Sequence, residues 1–423
     1  MLNLLGVIIA FIVIIVLIRK KFNFGLSLIL GSLIVGVFSL REIDPVDIPK
    51  AIIEASFYSF KTDQIVTQTI ELALLMTLIF ILAKLMQETG AITKLIDSLR
   101  TFFSKGGTLG VIPAVYGLMP VPGGALFSAP MINEEGDKYH LDKNQKNFLN
   151  IWFRHIWFPI YPISSAMILI CSEKFSDINI YSLILANVPA FIAIIIIGFI
   201  LLKKFITNAP KQQTNPTKDY SGLMFLLPPI VPLVFYAVLQ LFGFPQIKSF
   251  LIGVVFSIIL VYFITNINRR DYIQALKKSL TWKLGVAIFG IMIFREMFEV
   301  SGANVIIADM IGNLPFPAIW MVALIPLLLG SLTGYNLGAI ALSYFLVEPF
   351  FSYTGIGIIG LTSIIFMSSF VGYLVSPIHL CNVLSSDYLK TDTTRMYKMF
   401  IPAAVLLLLI HITIVVFSSG FLS

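Results

Sequence analysis

The chain is poor in charge. Lys, Arg, Asp and Glu make up 12% of its 423 residues, while 58% are hydrophobic. A soluble domain carries about 25% charged residues, so this composition excludes an ordinary soluble protein. It has two cysteines, Cys171 and Cys381, far apart in sequence, which excludes a disulfide framework and suggests no zinc site. Both are expected to be thiols packed among apolar side chains. Histidine is also scarce, at four residues. No phosphate loop, metal-ligand cluster or nucleophile triad appears, so neither a cofactor nor an enzymatic activity is expected. The net charge of +7 would suit a nucleic-acid partner only if the basic residues were clustered for one, and their positions argue otherwise.

What is present is long apolar sequence, with a mean hydropathy of +0.93. Segments long enough to cross a bilayer run near 2–18, 22–40, 65–88, 147–171, 181–202, 221–242, 248–266, 284–302, 357–386 and 399–419. The first lacks a basic leader and a small-residue cleavage site and ends in Arg19-Lys20-Lys21, so it reads as a retained span. Two more apolar stretches, about 106–131 and 318–348, are interrupted in the middle by "MPVPGGA" and "SLTGYNLGA". The expected fold is therefore an all-α polytopic membrane protein with about ten transmembrane helices plus two re-entrant hairpins. With the N-terminus placed outside and the spans alternating, 21 of the 29 Lys and Arg residues fall inside. Five (Arg41, Lys50, Lys61, Lys174 and Lys248) fall outside, and Lys84, Arg154 and Arg295 lie within spans. Such a bias is what sets membrane topology, so the positive charge is topological and no nucleic acid is implied. Both termini come out outside a cell (cytoplasmic) membrane, and the first hairpin enters from inside, the second from outside.

The chain also matches itself. "LAKLMQETGAITKLIDSL" (82–99) lies over "FREMFEVSGANVIIADMI" (294–311), "IPAVYG" (112–117) over "IPLLLG" (325–330), and "YPI" (161–163) over "SPI" (376–378), at offsets of 212 to 215. Amphipathic segments near 45–60 and 270–281 follow the second span of each half. The reading is a first repeat over 1–202, a polar linker at 203–220 and a second repeat over 221–423. An odd number of spans per repeat inverts the second relative to the first, as in secondary transporters whose broken helices meet near the midplane.

Broken backbone survives in hydrocarbon only where protein or a water-filled cavity satisfies it. The polar groups at the breaks are therefore the candidate site. The first tip supplies Pro122, Gly123, Gly124 and Ser128, and the second Thr333, Gly334, Tyr335 and Asn336. The interrupted spans "FRHIWFPIYPISSAM" and "GYLVSPIHLCNVLSSD" supply Ser164, Ser165, Ser376, Pro377, His379 and Asn382. Helix N-termini at such tips favour anions, and a membrane histidine could couple a proton. Arg154 and His155 suit either substrate charge pairing or snorkelling to the interface. Lys84 with Glu88, and Arg295 with Glu299, read as structural i,i+4 pairs.

This order of elements resembles the ion transporter superfamily, which includes divalent-anion symporters, citrate carriers and gluconate-type permeases. "MPVPGGALFSAP" and "SFVGYLVSPIHLCNVLSSDY" are similar to a prokaryotic branch of unassigned function. Neither tip has the Ser-Asn-Thr triplet of the best-known branch. The resemblance implies a homodimer with a fixed scaffold and a moving transport domain, its site lying between two hairpin tips and two unwound helices. The function expected is secondary-active, elevator-type transport of a small organic solute, expected to be an anion, coupled to a proton or sodium ion. An intramembrane enzyme would need acids or a nucleophile and base at one depth, and a passive channel would need a continuous polar path.

Overall fold

A computed structural model describes residues 2–100, 106–118, 124–206, 220–311 and 317–422. Pro122 and Gly123 of the first tip, and most of the 203–220 linker, lie outside the described residues. The protein is an all-α polytopic membrane protein. Seven helical segments are long and apolar enough to cross a bilayer among the described residues. Shorter apolar helices lie at Phe24–Phe38, Thr108–Gly117 and Ala318–Thr333.

The first half contains α1 (Leu2–Arg19), α2 (Phe24–Phe38), α3 (Asp47–Ser56), α4 (Gln68–Glu88), α5 (Ala91–Arg100), α6 (Thr108–Gly117), α7 (Ala125–Asp137), α8 (Lys143–Arg154), α9 (Ser165–Ile170) and α10 (Ile180–Phe205). The second contains α11 (Leu227–Gln240), α12 (Gln246–Thr265), α13 (Arg269–Ser279), α14 (Lys283–Val300), α15 (Ala303–Ile311), α16 (Ala318–Thr333), α17 (Asn336–Val347), α18 (Ile358–Val375), α19 (Leu380–Leu389) and α20 (Thr393–Leu422). A two-residue hairpin, β1 (Tyr58–Ser59) against β2 (Gln64–Ile65), links α3 to α4. Local chemistry sets the starts. Asn23, Asn179 and Asn268 accept backbone N–H groups at the heads of α2, α10 and α13, and Asp142 with Gln145 forms a capping box on α8.

Contacts between elements recur with the halves exchanged. α2 packs on α14 and α12 on α4; α3 packs on α14 and α13 on α4. α6 packs on α8 and α16 on α18; α9 packs on α17 and α19 on α7; α10 packs on α18 and α20 on α8. The expected 147–171 span divides into α8, a 3₁₀ turn at Phe158–Ile160 and the short α9, because Pro159 and Pro162 cannot continue the helical ladder.

Burial separates centre from periphery. In the most apolar 18-residue window of the Ile358–Leu389 segment 72% of the residues are buried, against 28% for α1. On α1, Leu5, Ile8, Ile12 and Val16 form an exposed apolar stripe at helical spacing, the face a bilayer would cover. At the centre, α16 and α18 touch backbone to backbone. A Cβ on Gly372 would lie 2.1 Å from the Leu327 carbonyl oxygen, and one on Gly330 2.5 Å from that of Ser369. With no hydrophobic driving force between helices in lipid, such small-residue contacts supply the packing. Gly372→Ala should therefore lower stability by about 1–3 kcal/mol, read as a lower melting temperature in detergent. Gly357→Ala, where a Cβ meets nothing within 4 Å, is expected to melt like the parent.

Candidate functional site

The breaks converge. The C-terminal turn of α6 leaves carbonyls without helical partners, and side chains from the α8–α9 connection supply them. Trp157 Nε1 donates to Ala114 O at 3.1 Å, Arg154 Nη1 to Tyr116 O at 2.7 Å and Tyr161 Oη to Leu118 O at 2.5 Å. Arg154 is buried, and its guanidinium occupies the space beside Gly124, where a Cβ would fall 2.0 Å from Nη2. Only glycine admits it there.

In the second half, α16 ends on Gly334, which is left-handed at φ +61 and returns its N–H to Gly330 O at 2.9 Å. Thr333 Oγ1 bonds back to Leu329 O at 2.7 Å. α18 stops at Val375. Ser376 Oγ donates to Ser331 O at 2.7 Å, while the Ser376 carbonyl accepts from Tyr397 Oη at 3.0 Å.

Between these ends lies a cavity of about 270 Å³, lined by Gly117, Arg154, His155, Tyr161, Ser164, Ser165, Gly334, Tyr335, Asn336, Tyr373, His379 and Cys381 among others. The structure thus brings together eight of the residues named from sequence: Arg154, His155, Ser164, Ser165, Gly334, Tyr335, Asn336 and His379. Thr333 and Ser376 lie just behind the wall and hold backbone. Gly124 faces Arg154. Ser128 and Asn382 sit elsewhere, and Pro377 lines a separate pocket with Asn382.

The polar groups on this wall are held to different degrees. Asn336 Oδ1 accepts from Ser369 Oγ at 2.9 Å, whereas its Nδ2 is buried without a hydrogen-bond partner. His379 follows the α18 break, where the offset of 215 pairs it with Ser164 of the first half. Ser164 caps α9 by accepting the Met167 N–H at 3.2 Å. His379 occupies the same slot ahead of α19 but makes no cap bond, and neither ring nitrogen has a partner. His155 is fixed: Nδ1 lies 2.7 Å from the Ile151 carbonyl and Nε2 3.4 Å from Tyr373 Oη. A carbonyl only accepts, so in the neutral ring Nδ1 carries the proton and Nε2 shows a lone pair to the cavity.

Sequence reasoning missed Cys381, Tyr373 and Tyr161. Cys381 is buried as expected of a packed thiol, but its neighbours are the two imidazoles, and the ligating atoms of His155, His379 and Cys381 lie within 4.8 Å of one another. Their separation along the chain hid this grouping. The second omission is a closed polar network. Asn150 Nδ2 donates to Ala125 O at 2.9 Å and Ser385 Oγ at 2.8 Å, and Ser128 Oγ donates to Asn150 Oδ1 at 2.5 Å. Ser385 Oγ donates to Asn147 Oδ1 at 2.5 Å, Asn147 Nδ2 donates to Ser386 Oγ at 2.8 Å, and Asn382 Nδ2 donates to Tyr397 Oη at 3.0 Å. Two asparagines three residues apart in α8, the amphipathic helix Lys143–Arg154, were the available signal.

A larger cavity of about 790 Å³ adjoins the site, sharing Ser165 and Tyr335 with it. Its walls carry Lys21, Lys84, Glu88 and Lys283. No Asp or Glu lines the inner cavity among the described residues. Since the Asn150 network ties α7, α8 and α19 together, Asn150→Ala should lower stability by about 1–3 kcal/mol for each partner left unsatisfied. Thermal unfolding measures this directly, and mutation in combination with Ser385→Ala should cost less than the sum of the single changes.

No curated protein matches the chain. A family model described as protein of unknown function (DUF401) matches residues 2–417, and the chain belongs to that family.

Proposed function

We propose that this protein is a secondary-active transporter of a small anionic organic solute. The observation that carries the reading is the cavity at the meeting point of the helix breaks, where Asn336 Nδ2 and both nitrogens of His379 are buried without partners. Buried polar groups left unpaired are costly, so a site that keeps three of them is built for something that binds there. The charge sign follows from the wall. Arg154 brings a positive charge, the N-termini of α17 and α19 point partial positive charge toward the space, and Asn336 offers amide donors.

In this reading the chain makes ten crossings with two re-entrant hairpins, α6–α7 and α16–α17, in inverted repeats 1–202 and 221–423. The exchange of packing partners between halves supports the repeat. The Lys and Arg distribution supports termini outside. The larger cavity, with Lys21 and Lys283 on its walls, then lies toward the inside. Alternating access follows if α6–α9 and α16–α19 move as a unit past a scaffold of α1–α4 and α11–α14, with a homodimer formed through the peripheral helices. A proton or sodium ion drives the cycle, and His379, an imidazole on this wall whose ring nitrogens have no hydrogen-bond partner, is the candidate proton carrier.

Counterflow in proteoliposomes tests the reading. A carrier exchanges labelled solute with saturation, a channel does not, and an enzyme would change the solute. Once a solute is identified by thermal shift among organic acids, amino acids and sugar acids, Asn336→Ala and His379→Ala should weaken its binding. A hydrogen bond to a charged group contributes about 1.5–3 kcal/mol, or roughly ten- to a hundred-fold in affinity. Both empty variants are expected to melt near the parent temperature, and His379→Ala should lose the pH dependence of transport if the proton is the coupling ion. A cavity that binds no organic anion in that screen would overturn the proposal.

A further inference from the structure

We propose that His155, His379 and Cys381 form a binding site for a thiophilic cation, Zn²⁺ in the first instance, with three protein ligands and a fourth position open to the cavity. Two imidazoles and a thiol are a donor set that favours zinc, and the absence of a carboxylate from it disfavours magnesium, calcium and manganese.

The geometry carries the proposal. The three residues are buried, at 2%, 1% and 3% exposure, and their ligating atoms lie within 4.8 Å of one another. A tetrahedral site with metal bonds of about 2.0–2.3 Å separates its ligand atoms by roughly 3.3–3.6 Å, so the group must close by about 1 Å. His379 can supply that movement because no hydrogen bond holds its ring. His155 needs none. The Ile151 carbonyl, 2.7 Å from Nδ1, already fixes the tautomer that turns the Nε2 lone pair inward, which is the usual outer-shell arrangement of a metal-bound histidine. The Tyr373 hydroxyl, 3.4 Å from Nε2, gives up a long hydrogen bond to the incoming metal. The His155 and His379 rings stand 4.9 Å apart at 70°, so their nitrogens approach a common point from different directions.

Binding replaces the Cys381 S–H bond with a metal–sulfur bond and releases one proton to water. The cation brings two positive charges and the thiolate one negative, so the loaded site gains one net positive charge. A water or an oxygen of a bound molecule completes the tetrahedron from the cavity side.

The test uses the full-length protein purified in detergent, stripped with a chelator and titrated with Co²⁺ and then Zn²⁺. One equivalent of Co²⁺ should give tetrahedral d–d bands and a cobalt–thiolate charge-transfer absorption, which Zn²⁺ then bleaches. Cys381→Ser should lose the charge-transfer absorption and bind more than tenfold more weakly, whereas Cys171→Ser should keep both. X-ray absorption of the zinc-loaded parent protein needs no variant and should show one sulfur and two imidazole nitrogens. A titration without charge-transfer absorption overturns the site, as does an absorption that persists in Cys381→Ser or a zinc shell of nitrogen and oxygen alone. These readouts involve no solute and no transport, so their failure would leave the carrier reading standing, and the failure of solute binding would leave the metal site standing.

Discussion

In hydrocarbon every peptide N–H and C=O needs a partner supplied by protein, and this constraint decides where the chain can depart from helix. The breaks are satisfied by side chains from one another and from the neighbouring helices α10 and α20. α6 ends on carbonyls taken up by Arg154, the last residue of α8, and by Trp157 and Tyr161 of the stretch after it. The Pro159 carbonyl in that stretch accepts from Asn187 of α10 at 2.9 Å. Ser376, at the α18 break, bonds to the Ser331 carbonyl near the end of α16. No break could be kept without its neighbour, so the breaks gather in one region and enclose a cavity there. The site is a consequence of this mutual satisfaction.

The two halves solve the same problem with different residues. In the first, a buried arginine spans the gap, and glycines make room for it: the Arg154 carbonyl lies where a Cβ on Gly117 would be, and its guanidinium lies where one on Gly124 would be. In the second, Gly334 turns the chain through the left-handed region, and Thr333 bonds back to its own helix. The difference extends to the cap of the following short helix, a serine that caps in one half and an imidazole that does not in the other. The two halves thus build a chemically asymmetric wall, with the cation on the first-half side and the unpartnered imidazole and the thiol on the second.

Much of this architecture is legible from local signals. Proline and glycine within apolar runs mark the breaks, the amphipathic segments near 45–60 and 270–281 become α3 and α13, and self-similarity aligns Ser164 with His379. The proximity of Cys381 to His155 is not legible, because it arises from the packing of α19 against α8 across more than half the chain. Hydropathy also reads Asn147 and Asn150 only as polar residues of the mixed helix α8, since it carries no record of which face meets Ser385 and Ser386. Ser128 and Asn382 look like site residues for the same reason: both are polar groups beside a break, and only tertiary contacts assign them to the network.

The contrast between that network and the cavity bears on function. Ser128, Asn147, Asn150, Asn382 and Ser385 are bonded to one another, to backbone or to the Tyr397 hydroxyl, so they fix the geometry of α7, α8 and α19. Such a saturated cluster has nothing to offer a solute, and its value is rigidity. The cavity wall is unsaturated at Asn336, which a bond at its other end holds in place, and at His379, whose ring no hydrogen bond holds. Leaving a buried donor or acceptor unpaired costs about 1–3 kcal/mol, a cost removed when a ligand pairs with it. Rigidity next to unsatisfied groups is preorganisation: the folding of the surrounding helices has already set the wall's geometry, and binding need not do so.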